Sequence, residues 1–279
     1  MQNILCFGTG GVPLSAAPRD TIAGLERLSE LGLNHMEVEW VHGVRLSEEK
    51  AREIGSKAQE LNISLTAHGP YYINLNAIEP DKRKASRQRI IDSCRLGQMA
   101  GVRSVCFHAA FYLGQEPTQV FDRVLTEMLQ IEDELAKEGI DKIWLAPELT
   151  GKPTQFGDLE ELIMLAKTLN RTRLCIDFAH YFARYAGKRN SKDEFRRVVD
   201  RVRKELGIEV VNNMHIHYSG IEYSAKGERH HLDLDESHFN WKGLLEVLAE
   251  EKVGGYMVCE GPHLEYDALK AKQYYDNYK

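Results

Sequence analysis

Short apolar segments alternate along this chain with longer segments in which charged and apolar residues recur at helical spacing. Short runs rich in β-branched and aromatic residues are typical of buried strands, and longer periodic segments are typical of surface helices. The pattern predicts eight strands, at residues 3–8, 33–40, 63–68, 102–108, 142–148, 172–178, 211–217 and 255–260. It predicts eight helices, at residues 19–31, 47–61, 80–100, 117–138, 158–169, 191–206, 241–250 and 266–274.

The spacing of these elements predicts the fold class. Successive strands begin 30 to 44 residues apart, which leaves room for a strand, a loop and a helix in every repeat. Ser47 and Asp158 precede helices as candidate N-caps. No Pro-, Gly- or Ser-rich linker interrupts the repeats, so the sequence favours an α/β fold, a single (β/α)8 TIM barrel over residues 1–279. An open doubly wound sheet is the alternative, but the run Gly8-Thr9-Gly10-Gly11 lacks the last glycine of G-x-G-x-x-G. Glycines also follow four predicted helices, at Gly32, Gly101, Gly139 and Gly207.

Composition and charge limit the classes of function that we expect for this protein. The 279 residues are 43% apolar and 28% charged, as expected of a globular protein with a sizeable core. A net charge of −6 gives no bulk attraction for nucleic acid, so such a partner would need local positive charge, for example from metal ions. The sequence has no apolar stretch long enough for a membrane helix and no signal-peptide pattern, so we expect a soluble cytoplasmic protein. Five cysteines without a C-x-x-C pair favour buried thiols over disulfides.

The carboxyl ends of the predicted strands carry many side chains that can bind metal. In a (β/α)8 barrel these ends form the mouth at which active sites lie. Strands three to eight each end in His, Asp or Glu, and the segment after strand seven, predicted as a loop, adds further candidates. The residues concerned are His68, His108, Glu148, Asp177, His180, His215, His217, Glu228, His230, His231 and Glu260, of which His231 is expected to be exposed and not a ligand.

These residues indicate a metal site more strongly together than singly. One histidine or carboxylate at a strand end is more often a rim residue, a helix cap or an ion-pair partner than a metal ligand. Six strands that direct such groups at one mouth would incur a large desolvation and repulsion cost without a cation. Mixed imidazole and carboxylate ligands indicate Zn²⁺, Mn²⁺ or Fe²⁺, and about three ligands per catalytic ion indicate two or three ions. Phosphoester hydrolysis is therefore the first reaction to consider.

Seven short blocks occur in order along the chain and together cover about the whole predicted barrel. They are His68-Gly69-Pro70-Tyr71-Tyr72-Ile73-Asn74-Leu75, Phe107-His108, Pro147-Glu148-Leu149-Thr150-Gly151, Cys175-Ile176-Asp177-Phe178-Ala179-His180, Met214-His215, Glu228-Arg229-His230-His231 and Glu260-Gly261-Pro262. In this order the blocks resemble the endonuclease IV family of apurinic/apyrimidinic endonucleases, within the wider group of xylose-isomerase-like barrels.

The resemblance implies a trinuclear zinc site, with Mn²⁺ or Fe²⁺ as alternatives at one or more positions. His68 and His108 would hold the first ion, and Glu148 would bridge it to a second. Asp177, His215 and Glu260 would complete the second ion, and His180, Glu228 and His230 would hold the third. Glu148 and Glu260 are the predicted catalytic residues. Glu228 stands where the family usually has Asp, one methylene shorter.

The implied activity is cleavage of duplex DNA on the 5′ side of an abasic site, leaving a 3′-hydroxyl. Tyr71 occupies the position of a family tyrosine that probes the DNA at the lesion; the alternative is a rim tyrosine that packs on Pro70. Arg45 is a candidate DNA contact in a loop that differs from the family's, and Arg229 is a candidate phosphate contact. Solvated surface positions are the alternative for both arginines. His217, where the family has no ligand, is expected to orient a ligand or contact phosphate.

Two alternatives remain open. A sugar isomerase or epimerase on the same barrel would use one divalent ion held by Glu148, Asp177, His215 and Glu260, and the two glutamates would also move protons. That alternative leaves the other five ligand-type residues without a common purpose. A non-catalytic DNA-binding barrel is disfavoured by the intact ligand set. The helix faces show no long heptad seam, so we expect a monomer.

Overall fold

The computed structural model describes residues 4–279. Its principal strands are β1 (Leu5–Gly10), β2 (His35–Glu39), β3 (Ser64–His68), β4 (Ser104–Phe107), β5 (Trp144–Pro147), β6 (Cys175–Asp177), β7 (Met214–Tyr218) and β8 (Gly255–Cys259). Its α-helices are α1 (Thr21–Glu30), α2 (Glu48–Glu60), α3 (Pro80–Met99), α4 (Pro117–Lys137), α5 (Leu159–Thr168), α6 (Phe178–Arg184), α7 (Lys192–Leu206), α8 (Ile208–Val211), α9 (Trp241–Glu250) and α10 (Glu265–Tyr278). None of the helices in these residues is both long enough and apolar enough to cross a membrane.

The chain divides into two compact units. Unit 1 contains the described residues up to 37 together with residues 151–153 and 175–279, and unit 2 contains residues 38–150 and 154–174. The boundary falls within β2. A single domain over residues 1–279 stays a prediction.

Unit 1 contains a parallel sheet in which β1 is central. Strand β1 pairs with β8 on one side and with the first residues of β2 on the other, and the sheet continues from β8 through β7 to β6. Gly8 permits the close approach of β1 and β2, because a Cβ atom there would lie 1.9 Å from the carbonyl oxygen of His35. Helix α7 buries Phe195, Val198 and Val202 along one face, as its amphipathic sequence predicts.

Unit 2 contains β3, β4 and β5 as neighbouring parallel strands. Helix α4 buries Val120, Val124 and Met128, which are four residues apart and therefore share one face. Each such buried side chain contributes about 1.5–3 kcal/mol to the free energy of unfolding. The predicted alternation of buried strands and one-sided helices is thus present in both units.

The sequence signals at the helix ends are confirmed. The Ser47 hydroxyl accepts a hydrogen bond from the backbone N–H of Lys50 at 3.2 Å, and Asp158 forms a capping box with Glu161. The glycines that follow helices adopt the left-handed backbone that side chains disfavour. Their φ angles are +73° at Gly32, +73° at Gly101, +68° at Gly139 and +87° at Gly207.

Several predicted strand boundaries are wrong. The seventh strand begins at Met214 and not at residue 211, because residues 208–211 form helix α8. The sixth strand ends at Asp177, whose side chain accepts the backbone N–H of His180 at 2.7 Å and so starts helix α6 at Phe178. The first strand extends to Gly10, and its predicted first residue, Asn3, lies outside the described residues.

The segment after β7, predicted as a loop, is a β-hairpin in unit 1. Its strands are Gly220–Ser224 and Gly227–Leu232. Glu222 pairs with His230, but the next residue, Tyr223, pairs with Glu228, so Arg229 is an extra residue on the second strand. An extra residue of this kind is a β-bulge, and it changes which side chains share a face of the strand.

Candidate functional site

The first candidate site, the Glu148 cluster (His68, His108 and Glu148), lies at the carboxyl ends of three strands in unit 2. Glu148 follows β5 and is buried. Its Oε2 atom lies 3.3 Å from Nε2 of His68 and 3.0 Å from Nε2 of His108. The Cys106 thiol donates to the same oxygen, with Sγ at 3.4 Å. Unit 2 therefore brings together the three metal-binding residues that the sequence predicts for it.

The hydrogen bonding of His68 suits this cluster to a cation. Its Nδ1 lies 2.8 Å from the carbonyl oxygen of Gly69, which can only accept, so Nδ1 carries a proton. In the neutral ring, Nε2 then presents a lone pair to Oε2 of Glu148. Two electron-rich atoms in contact favour a proton or a metal ion between them. A histidine whose Nδ1 donates to a carbonyl is also the usual form of a metal ligand.

Two predicted DNA-contact residues lie on the surface of unit 2. The side chain of Tyr71 is exposed, and its ring centroid lies 6.1 Å from that of His68 and 6.3 Å from that of His42. Arg45 is exposed in the irregular segment that precedes α2. Tyr71 thus stands beside the Glu148 cluster with its ring accessible.

The second candidate site, the Glu37 cluster (Glu37, His215 and His217), lies in unit 1. The Oε2 atom of Glu37 lies 2.7 Å from Nε2 of His215, and its Oε1 atom lies 2.9 Å from Nε2 of His217. The two Nε2 atoms are 3.2 Å apart. Glu260 approaches the other side of His217, with Oε1 3.3 Å from Nδ1. Glu37, His215 and His217 are all buried.

The charges of this cluster stabilise one another. Burial raises the pKa of Glu37, but the attraction of His217 and His215 outweighs burial and holds this pKa well below its ordinary value. Burial lowers the pKa of His217, but its neighbours outweigh that effect and raise this pKa well above its ordinary value. The neighbours responsible are Cys175, Glu260 and Glu37. Glu37 is therefore an ionised carboxylate in the interior of unit 1.

The third candidate site, the His180 cluster (Asp177, His180, Glu228 and His231), also lies in unit 1. Nδ1 of His180 is 3.3 Å from Oδ2 of Asp177, and its Nε2 is 3.5 Å from Oε2 of Glu228. The Nε2 atom of His231 lies 3.5 Å from the same nitrogen of His180. Gly151 makes this arrangement possible, because a Cβ atom there would lie 2.6 Å from Oε2 of Glu228.

His230 and Arg229 are directed away from the His180 cluster. Both side chains are about 60% exposed, and both contact Glu222, with Nε2 of His230 at 3.3 Å and Nη1 of Arg229 at 3.1 Å. Regular alternation would place Glu228 and His230 on one face, but the bulge at Arg229 brings His231 to that face instead. The structure therefore brings the half-buried His231, and not His230, to the His180 cluster, and the role of His230 as a ligand stays a prediction.

Sequence reasoning missed Glu37 as a site residue. The available signal was an acidic residue within a predicted buried strand, which is uncommon unless the charge is paired. His217 shares the inward-facing parity of His215 on β7, and both contact Glu37. That all the predicted ligands meet at one mouth stays a prediction.

The repeated strands and helices and the clusters at the strand ends define an α/β protein of the barrel class. The chain belongs to the Xylose isomerase-like TIM barrel family, whose pattern matches residues 25–278, and this confirms the predicted (β/α)8 barrel. An uncharacterized protein from Methanocaldococcus jannaschii is 39% identical over 273 residues, which are 98% of this chain and 97% of that protein. A probable endonuclease 4 from Campylobacter fetus subsp. fetus is 24% identical over 216 residues, covering 75% of this chain and 74% of that one.

Two solved structures with different activities in their names share the fold. Endonuclease IV from Thermus thermophilus matches with a TM-score of 0.73 and 18% identity, over 97% of this chain and 98% of that chain. A D-tagatose 3-epimerase-like protein matches with a TM-score of 0.71 and 17% identity, over 97% and 96%. The fold alone does not separate the two activities, so the function has to be argued from the site.

Proposed function

We propose that this chain is a metal-dependent phosphodiesterase that cleaves duplex DNA on the 5′ side of abasic sites. The supporting observation is the number of ligand-type side chains, because the Glu148 and His180 clusters each contain at least three. One catalytic zinc ion takes about three protein ligands, so these clusters provide for more than one ion. Several ions acting together suit phosphoester hydrolysis, in which both an attacking and a leaving oxygen need stabilisation.

Two or three Zn²⁺ ions are the proposed cofactor, with Mn²⁺ or Fe²⁺ at one or more positions. The buried mixture of imidazoles and carboxylates fits these ions better than Ca²⁺ or Mg²⁺, which prefer oxygen ligands. When bound, such ions polarise phosphoryl oxygens and lower the pKa of bound water. The residues that would hold them are His68, His108 and Glu148 in unit 2, and Asp177, His180, His215, Glu228, His231 and Glu260 in unit 1.

Residues of this chain would fix the position of the metal ligands and recognise the DNA. Oε2 of Glu148 contacts both histidines of its cluster and is held by the Cys106 thiol, so this carboxylate is fixed before any ligand arrives. Tyr71 offers an exposed ring beside the same cluster. An aromatic ring can stack where a base is missing, a contact worth about 1–3 kcal/mol for an ordinary base. This arrangement suits recognition of a baseless sugar in duplex DNA.

A single-metal sugar epimerase is the second candidate, and the similarity to a D-tagatose 3-epimerase-like structure supports it. In that reaction two glutamates, Glu148 and Glu260, would move protons. Asp177 and His215 would complete the ligands of one ion. The His180 cluster has no task in that chemistry, which favours the phosphodiesterase.

The test combines metal content with activity on both substrate classes. Elemental analysis of the purified chain should give two or three ions, and a duplex oligonucleotide with one abasic site should be nicked on its 5′ side while the undamaged duplex stays intact. Chelation should abolish nicking, and Zn²⁺ or Mn²⁺ should restore it. One ion per chain with turnover of a ketohexose would establish the epimerase instead. Nicking that survives complete metal removal would contradict the proposed chemistry.

A further inference from the structure

We infer that His42 is a positioning residue, which holds the ring of Tyr71 in one orientation and thereby increases the preference for abasic over undamaged DNA. His42 lies in the irregular segment between β2 and α2 and is part of none of the sequence blocks that resemble the endonuclease IV family. The effect on DNA rests on the proposed function, whereas the effect on the Tyr71 ring does not.

The first observation is that the backbone on the N-terminal side of His42 is fastened within unit 2. The backbone N–H of Trp40 donates to the carbonyl oxygen of His68 at 3.0 Å, and the Trp40 side chain is buried. The backbone N–H of Tyr71 donates to the carbonyl oxygen of Val41 at 3.1 Å. Two hydrogen bonds therefore join the segment that carries His42 to the segment that carries Tyr71.

The second observation is a tight turn that contains His42. The backbone N–H of Gly43 donates to the carbonyl oxygen of Trp40 at 2.8 Å, which closes a four-residue turn with His42 as its third residue. Gly43 has φ +102°, in the region that glycine adopts more easily than other residues. The turn fixes the backbone of His42, so its imidazole starts from a defined position beside Tyr71.

The third observation is the contact between the rings. The ring centroids of His42 and Tyr71 are 6.3 Å apart and the ring planes are 84° apart. Perpendicular rings at roughly 4.5–7 Å attract each other, because the positive edge of one ring meets the negative face of the other. The side chain of Tyr71 is 61% exposed, and an exposed side chain otherwise changes rotamer within picoseconds to nanoseconds. The His42 ring therefore restrains a side chain that solvent would leave mobile.

The restraint has a consequence for binding. Ordering a side chain when a ligand binds costs affinity, and a ring that is already ordered avoids this cost. Only a duplex that lacks a base offers the Tyr71 ring a place to stack, so the gain applies to abasic DNA and not to undamaged DNA. His42 is not one of the candidate metal ligands, so we expect it to change recognition and not the metal content.

The first experiment measures the order of the Tyr71 ring in the full chain without DNA. In protein labelled with ¹³C-tyrosine, the variant Tyr71→Phe assigns the ring signal and relaxation gives its order parameter. His42→Ala should lower this order parameter, whereas His42→Phe, which keeps an aromatic ring, should retain it. His238→Ala is the control, because His238 is an exposed histidine in the segment before α9 of unit 1. Unchanged order of the Tyr71 ring in His42→Ala would overturn the inference.

The second experiment measures recognition. For nicking of abasic duplex, His42→Ala should raise KM about 3- to 10-fold, the range expected from one pair of aromatic rings, with kcat within twofold. Fluorescence anisotropy should show unchanged binding of the undamaged duplex, and His42→Phe should restore KM to within twofold of the wild type. A loss in kcat alone, or an equal loss of affinity for both duplexes, would overturn the effect on DNA. A wild-type chain that does not nick abasic DNA would refute the phosphodiesterase, while the order of the Tyr71 ring would still decide the role of His42.

Discussion

Oε2 of Glu148 and Nε2 of His108 are 3.0 Å apart, and the same carboxylate oxygen also faces His68. One buried oxygen thus contacts two imidazoles that lie at the ends of neighbouring strands. Replacing Glu148 by Gln should lower nicking of abasic duplex at least about 100-fold and reduce the metal content, because a neutral amide cannot balance a cation there. Steady-state nicking rates and elemental analysis measure both effects.

The control for this variant is Glu132→Gln in the same unit. Glu132 is also buried, but it accepts the backbone N–H groups of Asn170 and Arg171, away from the cluster. Its amide variant should lose stability while retaining the full metal content. Near-normal turnover in Glu148→Gln would remove this residue from the proposed site.

The two adjacent histidines of the hairpin should behave differently. His231→Asn should lower the affinity for the ion of the His180 cluster by about 10- to 100-fold, because the bulge at Arg229 turns this ring toward His180. His230→Asn should change the affinity less than twofold, because its ring is exposed and contacts Glu222. Competition with a chromogenic chelator gives both affinities. The opposite ranking would show that the bulge is absent when metal is bound.

Gly151→Ala tests whether space beside Glu228 controls the His180 cluster. The new methyl group would lie 2.6 Å from Oε2 of Glu228 and 3.0 Å from the His180 ring, so the carboxylate must move away. We expect the metal affinity to fall about tenfold. The double variant Gly151→Ala/Glu228→Gln should bind metal no more weakly than Glu228→Gln alone, because both changes act on one side chain. Additive losses in this cycle would assign the effect of Gly151 to something else.

Glu265 should make the stability of unit 1 depend on pH. Burial raises the pKa of Glu265, but backbone N–H groups, those of Leu14 and Ser15 among them, outweigh burial and lower it below its ordinary value. Because the pKa of Glu265 is lower in the folded state than in the unfolded state, the ionised carboxylate stabilises the fold at pH values above its unfolded-state pKa of about 4.3. This stabilisation is lost as the pH falls through the folded-state pKa. Glu265→Gln should therefore be about 1–3 kcal/mol less stable than the wild type at pH 7, with the difference shrinking below about pH 4. Urea unfolding at both pH values measures it, and a difference independent of pH would contradict the assignment.

The fold could be predicted from the sequence because it depends on local signals that repeat. Strands, helices, caps and terminal glycines each leave a short pattern, and Ser47 and Asp158 cap the helices that they were expected to cap. The wrong boundaries arose where long-range or capping contacts override propensity. Residues 208–211 include β-branched Val210 and Val211 and still form a helical turn, and Asp177 ends its strand by capping the next helix.

The candidate site was predictable in residue type but not in pairing. Strand ends rich in His, Asp and Glu identified the Glu148 cluster, whose members each follow or end a strand. Glu37 was not predicted because its strand was interpreted as buried core, although His35 and Glu39 in the same strand share its parity. His231 was missed because a bulge cannot be seen in a run of two histidines; it depends on how the hairpin strands pair.

The bulge at Arg229 also bears on how this family can change over time. Loss of the single codon for Arg229 would remove the extra residue, restore regular alternation along the hairpin and leave His231 on the face of Glu228. His230 would reach that face only if the hairpin retained Arg229 and paired without the bulge, so the pairing of the strands decides which of the two adjacent rings is presented. An alignment of relatives should therefore match hairpin residues whose side chains point to the same face, and not residues at the same distance along the sequence.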